Sequence, residues 1–180
     1  GSAGCYGLRM PDARPIGFFD SGVGGLTVLR ASQQRLPGES TIYIGDTARH
    51  PYGTRTDAEV LQFSEELTDA LVARNVKAIV IACNTATSVA LSALRLRHPE
   101  IPFIGVVRPG AAAATLATRT GRIGVIATEA TVRSSAYFTA IKESKIVDLK
   151  TPAQHEITVE GIQWSWQFGY PEAGKEAVVT

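Results

Sequence analysis

Short apolar runs alternate with longer amphipathic segments along most of the chain. Ile16-Gly17-Phe18-Phe19, Thr41-Ile42-Tyr43-Ile44, Ala78 to Ala82, Pro102 to Val107 and Arg122 to Ala127 have the length and the apolar content of buried strands. The segments between them carry helical signals. Leu26 to Arg35 follows a glycine-rich turn, and Ser88 to Arg97 is stopped by Pro99. Val60, Phe63, Leu67, Ala70 and Leu71 recur at helical spacing behind Thr56-Asp57-Ala58-Glu59. That tetrad has the form of a capping box, in which threonine and glutamate satisfy free backbone N–H groups reciprocally. An alanine-rich helix separates the fourth and fifth strands, and Thr131 to Lys142 predicts a final helix. Strand, loop and helix in repeated order predict an α/β fold: a parallel sheet with crossover helices on its faces. Such sheets bind ligands in the crevice beyond the carboxyl ends of their strands, so the residues after each strand carry the functional question.

The pattern changes after about residue 144. Glu156 to Tyr170 alternates, with Ile157 and Val159 on one face, then Ile162, Trp164, Trp166, Phe168 and Tyr170. The phase slips at Gly161, where a β-bulge would restore the facing. This predicts a long, antiparallel-style strand of different origin from the βα units before it. At the other end, Gly1 to Arg9 is glycine-rich, has no periodicity and lacks the apolar core of a secretory signal. Residues 1–14 are expected to be a disordered leader or tag.

Composition narrows the function classes. Eighteen basic residues face 17 acidic ones, for a net charge of +1, and neither sign forms a block. A nucleic-acid partner is not expected, since a phosphate-reading surface needs a basic patch. No membrane span is expected either, because the apolar runs fall far short of the roughly 20 residues one requires. Of two cysteines, Cys5 lies in the leader and only Cys83 in the body. A disulfide framework is not expected, and a reducing cytoplasm is the default location.

The strand ends hold the candidate chemistry. The first leads into Asp20-Ser21-Gly22-Val23-Gly24-Gly25. Thr27 stands where a dinucleotide fingerprint needs its third glycine, and no Gly-Lys-Ser/Thr phosphate-loop ending follows. Asp20 would repel a phosphate; it suits a site that holds an ammonium group or orients an acid. A tight turn with a helix N-cap is the alternative. The second strand leads to Asp46-Thr47-Ala48-Arg49-His50-Pro51-Tyr52-Gly53, from which Tyr52 and Gly53 can reach the crevice, whereas His50 alone reads as a surface residue. The third leads to Cys83-Asn84-Thr85 beside a helix start, where the helix dipole and free N–H groups favour thiolate. A buried cysteine acting as a small hydrophobe is the alternative, against which the polar residues after it weigh. The fifth leads to Thr128-Glu129-Ala130-Thr131, which is either a carboxylate seat or a helix cap.

These motifs, together with Gly105-Val106-Val107-x-Pro109-Gly110 and Gly124-Val125-Ile126-Ala127-Thr128-Glu129-x-Thr131 running on to Tyr137, stand in the order and spacing of glutamate racemase. The resemblance covers roughly residues 15–142. It implies two similar α/β domains with substrate between them: here an incomplete first domain over 15–107 and the start of a second over 108–143. It also implies an isomerase that interconverts L- and D-glutamate for peptidoglycan precursors, with glutamate as its small-molecule partner and no cofactor or metal. In that family two cysteines on opposite faces of the substrate do the work, one thiolate removing the Cα proton while the other thiol donates. By resemblance Cys83 is one of the pair and Asp20 assists it. Ser21, Tyr52, Gly53, Asn84 and Thr85, with Thr128 and Thr131, would hold the substrate. The second cysteine, expected in a Cys-Thr-His-Tyr-Pro run, is not among these 180 residues, so impaired racemisation is expected.

The segment from about Ala153 to Val179 resembles the start of the copper domain of cytochrome c oxidase subunit II, through Ile157-Thr158-Val159-x-Gly161-x-Gln163-Trp164-x-Trp166-x-Phe168-x-Tyr170-Pro171. Its copper-ligand motif is absent. On this resemblance residues 144–180 form a β segment of foreign origin, and the alternative to an enzyme is a recombined or artificial chimera that folds without activity. Its tryptophan-rich strand would pair at an open sheet edge or with another copy of the chain, giving a homo-oligomer.

Overall fold

Four of the five apolar runs come together as one parallel sheet in the order β2-β1-β3-β4. The computed structural model describes residues 12–144 and 157–160. Its strands are β1 (Ile16–Asp20), β2 (Thr41–Gly45), β3 (Ala78–Ile81) and β4 (Phe103–Gly105). Ile16 pairs with Thr41 on one side and Ala78 on the other, and Ile79 pairs with Phe103. Between two neighbours, β1 buries Phe18 and Phe19 completely, as expected of a central parallel strand covered on both faces.

The crossovers within this sheet are α1 (Leu26–Arg35), α2 (Asp57–Val72) and α3 (Asn84–Arg97), and α4 (Val107–Ala117) leads out of it after β4. The main core lies where α2 and α3 pack on each other and on the sheet, joining Val60 and Leu71 of α2, Ala86, Ala90 and Leu94 of α3, and Phe19, Ile79, Ile81 and Phe103 of the strands. The capping box at α2 is complete: the Glu59 N–H donates to Thr56 Oγ1 at 3.2 Å, and the Thr56 N–H donates to Glu59 Oε2 at 2.9 Å. Replacing Thr56 with alanine is expected to cost about 1 kcal/mol, read as a lower urea midpoint with an unchanged slope.

Three elements differ from the sequence expectation. α3 starts at Asn84, four residues before Ser88, because Cys83 itself serves as N-cap. β4 ends at Gly105 because α4 begins at Val107, with Pro109 in its first turn, where proline's missing N–H costs nothing. The single helix expected over 131–142 is two, α5 (Glu129–Arg133) and α6 (Ala136–Glu143), broken at Ser135, whose left-handed φ of 55° cannot continue a helix.

The fifth run, β5 (Ile123–Ile126), does not join the sheet. It pairs with β6 (Ile157–Glu160), and a small second core gathers Ala111, Ile123 and Ile141. β6 runs parallel to β5, in register from Ile123 with Ile157 to Ile126 with Glu160. This corrects the antiparallel-style expectation: the intervening helices bring the chain back to the starting end of β5, and such a crossover yields a parallel pair. The leader as far as Pro11 and the remainder of the expected strand, from Gly161 through Tyr170 to the end of the chain, lie outside the described residues.

Candidate active site

The carboxyl ends of β1, β2 and β3 are laced together by backbone hydrogen bonds. The Asp46 N–H donates to the Asp20 carbonyl at 2.9 Å, and the Ala82 N–H donates to the Phe19 carbonyl at 2.8 Å. Asp20 turns inward, where its Oδ2 accepts the Gly25 N–H at 2.9 Å. The aspartate thus ties the tight turn from the end of β1, and it does so without capping α1, whose N-cap is Gly25. Gly25 is required by close approach, since a Cβ there would lie 2.7 Å from Asp20 Cβ and 2.8 Å from Ala82 Cβ.

Cys83 is buried at the start of α3. Its thiol donates to Ser21 Oγ at 3.5 Å, and its Sγ accepts the Ala86 N–H at 3.4 Å. The helix start thus acts on the sulfur as expected, but it does not prevail. Burial pushes the Cys83 thiol above its ordinary value and the Asp20 charge adds to this, while the Ala86 N–H and Ser21 pull the other way. The expectation of a favoured thiolate is corrected accordingly, because desolvation of the charged form outweighs the hydrogen bonds from Ala86 and Ser21. Alkylation of the Cys83 peptide by iodoacetamide, followed by mass spectrometry, is expected to be slow at neutral pH and to rise only above the ordinary thiol range. The urea-unfolded chain should show ordinary reactivity. The sign for stability follows: the folded state prefers the protonated thiol, so this contribution is complete below the ordinary thiol pKa and is lost as pH rises through the folded value.

A second group forms where α3 meets the start of α5. Thr85 Oγ1 lies 2.9 Å from Thr128 Oγ1, which lies 3.1 Å from Thr131 Oγ1, and the Thr131 hydroxyl donates back to Thr85 at 3.4 Å. Thr128 is the N-cap of α5, yet its side chain makes no capping bond; its hydroxyl is spent on the other two. Gly53 packs against the same threonine, where a Cβ would stand 2.6 Å from Thr128 Cβ. Exposed Asn84 accepts the Tyr137 hydroxyl at 2.8 Å.

Tyr52 is buried, and its hydroxyl donates to Asp46 Oδ2 at 2.6 Å. Burial and then Asp46 hold this phenol well above its ordinary range. Arg49 donates its Nε–H to the same Oδ2 at 2.6 Å, pairs with Glu66 and lies 4.2 Å over the Phe63 ring. The Tyr52 hydroxyl is thus occupied within the protein, and the loop presents Gly53 to the threonine cluster. His50 is exposed, as expected.

The structure therefore brings Asp20, Ser21 and Cys83 into one cluster, and Gly53, Thr85, Thr128 and Thr131 into a second, joined through the consecutive residues Cys83-Asn84-Thr85. Tyr43 was not singled out by sequence. Its hydroxyl donates to the Gly22 carbonyl at 3.0 Å, and burial and the neighbouring Asp20 raise its pKa to about 12. In the chain it is one aromatic of an apolar strand, with no local sign of a polar contact 21 residues away. Among the described residues no group of three or more histidine, cysteine, aspartate or glutamate side chains is placed to hold a metal ion. No helix among them is long and apolar enough to cross a membrane.

The chain that carries these clusters is similar to known proteins in sequence and fold. The model of the Asp/Glu/Hydantoin racemase family matches residues 26–165. The chain belongs to this family. The glutamate racemase of Pediococcus pentosaceus is 55% identical over 132 residues, covering 73% of this chain and 49% of that protein. The crystal structure of a Bacillus anthracis glutamate racemase isoform superposes with a TM-score of 0.71 at 44% identity, covering 82% of this chain and 52% of that one. The Francisella tularensis glutamate racemase, solved in complex with D-glutamate, gives a TM-score of 0.70 at 38% identity, covering 84% and 53%. The chain thus spans about half the length of the racemases it matches. The oxidase likeness and a foreign origin for the last segment find no support in these comparisons, and the racemase-family match itself runs to residue 165, into that segment.

Proposed function

We propose that the chain forms the Cys83 face of a glutamate racemase site, which exchanges the Cα proton of glutamate without a cofactor, in the supply of peptidoglycan precursors. The observation that carries this reading is the Cys83 thiol, buried and hydrogen-bonded to Ser21, in a chain whose relatives include glutamate racemases. Asp20 at the end of β1 would attract the substrate ammonium, and the Thr85, Thr128 and Thr131 hydroxyls would seat a carboxylate. Burial is the main cause of the raised thiol pKa and the Asp20 charge a smaller one; an arriving ammonium would offset the Asp20 part and favour thiolate to that extent. The thiolate takes the Cα proton, the electron pair stays on carbon, and the sulfur becomes thiol. Returning a proton to the same face gives exchange; inversion needs a donor on the opposite face. In this reading residues 15–107 belong to the first domain and the second begins at 108, in keeping with β5 lying outside the sheet.

The test is proton NMR of L- and of D-glutamate in D2O with stoichiometric protein. Loss of the Cα proton signal from at least one enantiomer, in a time over which free glutamate keeps it, is the expected result. An undiminished signal for both enantiomers, with the protein folded by circular dichroism, would remove the proposal.

A further inference from the structure

Ser21, which meets Cys83, lies in the turn after β1, and that turn is tied at two points. One end of that turn is fixed by the Gly25 N–H on Asp20 Oδ2. The other anchor comes from a different strand. Tyr43, opposite Phe18 in the β1–β2 register, donates its hydroxyl to the Gly22 carbonyl, the residue directly after Ser21. The same hydroxyl stands 3.0 Å from where a Gly25 Cβ would be, and Asp20 Cβ stands 2.7 Å from that point, so phenol, carboxylate and turn converge on one spot.

We infer that Tyr43 is a positioning residue: by clamping the Gly22 carbonyl it holds Ser21 in hydrogen-bonding contact with Cys83. The inference rests on Cys83 being the reacting thiol of the proposed racemase site, and it adds a residue that acts on that thiol only through Ser21. A phenol is protonated, and able to donate, across the neutral range, and burial moves Tyr43 further in that direction. Asp20 of β1 is the charged group that bears on Cys83, and a charge on Cys83 bears in turn on Tyr43 of β2 and Tyr52 of the following loop. Of these, only Tyr43 holds the Ser21–Gly22 backbone.

The test compares the pH dependence of Cys83 alkylation by iodoacetamide in the unmodified chain, Tyr43→Phe, Ser21→Ala and the double variant, read on the Cys83 peptide by mass spectrometry. Phenylalanine keeps the ring and removes only the hydroxyl. Tyr43→Phe is expected to move the midpoint upward by about half a pH unit, the size of one weak hydrogen bond to the thiolate. Ser21→Ala should move it at least as far, and the double variant no further than Ser21→Ala alone. An unchanged midpoint in Tyr43→Phe, even with a lowered Tm, would reduce Tyr43 to a structural residue and overturn the inference. A Tyr43→Phe shift that persists in full in the Ser21→Ala background would overturn it as well, because the effect would then bypass the Ser21 hydroxyl that contacts Cys83. Alkylation needs no turnover, so a chain that shows the expected shifts without exchanging glutamate would count against the racemase reading and not against the clamp.

Discussion

Cys83→Ala is expected to abolish deuterium incorporation at the Cα of glutamate, a loss of roughly a thousandfold or more against the unsubstituted chain. The Cα proton is a very weak acid, and the proposed site offers one group able to take it. In this reading Asp20 attracts the substrate ammonium and ties the turn through the Gly25 N–H on its Oδ2, and the thiol takes the proton. The variant should remain folded. Alanine fits the space of cysteine less one sulfur, and of the α3 contacts only the Ala86 N–H to Sγ bond is lost. A cost of about 1 kcal/mol is expected for the small cavity and the missing cap. Cys83→Ser should be almost as inactive, because a hydroxyl is far harder to ionise than a thiol. The measurement is the NMR exchange assay, with urea unfolding as a check on integrity. Exchange in Cys83→Ala within tenfold of the unsubstituted chain would assign the chemistry elsewhere.

The second large effect concerns stability. Asp46→Ala is expected to cost about 3 kcal/mol, because it leaves the buried Tyr52 hydroxyl without an acceptor and takes one carboxylate from Arg49. Asp46→Asn should cost less, since the amide oxygen still accepts from Tyr52. The decisive variant is Asp46→Ala combined with Tyr52→Phe. Removing both partners leaves no buried orphan, so the double substitution should recover about 1–2 kcal/mol of the single loss. Urea midpoints of the four proteins measure this coupling. Strict additivity would mean that the 2.6 Å contact between Tyr52 and Asp46 contributes nothing of its own. Because Gly53 follows Tyr52 and rests on Thr128, Asp46→Ala should also loosen the threonine cluster.

Much of the architecture was legible because it is local. The strands of the sheet were visible as short apolar runs, and the α2 capping box within four residues. The candidate residues at the strand ends were found by the rule that parallel sheets open their crevice there. The long-range contacts were not legible. Ser21 and Cys83 are 62 residues apart, Thr85 and Thr128 are 43 apart, and nothing in either local pattern requires the pairs to meet. Thr128 could be read equally as a helix cap; it does hold the N-cap position, and only its actual partners show that its hydroxyl is turned to Thr85 and Thr131 instead of capping. Alternation in the segment after residue 156 indicated a strand but carried no information on its direction, which the crossover through α5 and α6 set.

The sequence by itself determined the α/β class, the order of elements, the family and the identity of the residues around Cys83, because those follow from hydrophobic period, turn chemistry and motif. Tertiary structure alone decided how acidic Cys83 is. A helix start next to a cysteine argues for thiolate wherever water remains. Here burial at the start of α3 takes the thiol away from water, and the cost of an unsolvated charge exceeds the help of the Ala86 N–H and of Ser21. Only tertiary structure, too, placed the Tyr43 hydroxyl on the Gly22 carbonyl, since the register of neighbouring strands, and not their composition, puts a side chain of β2 over the turn that ends β1.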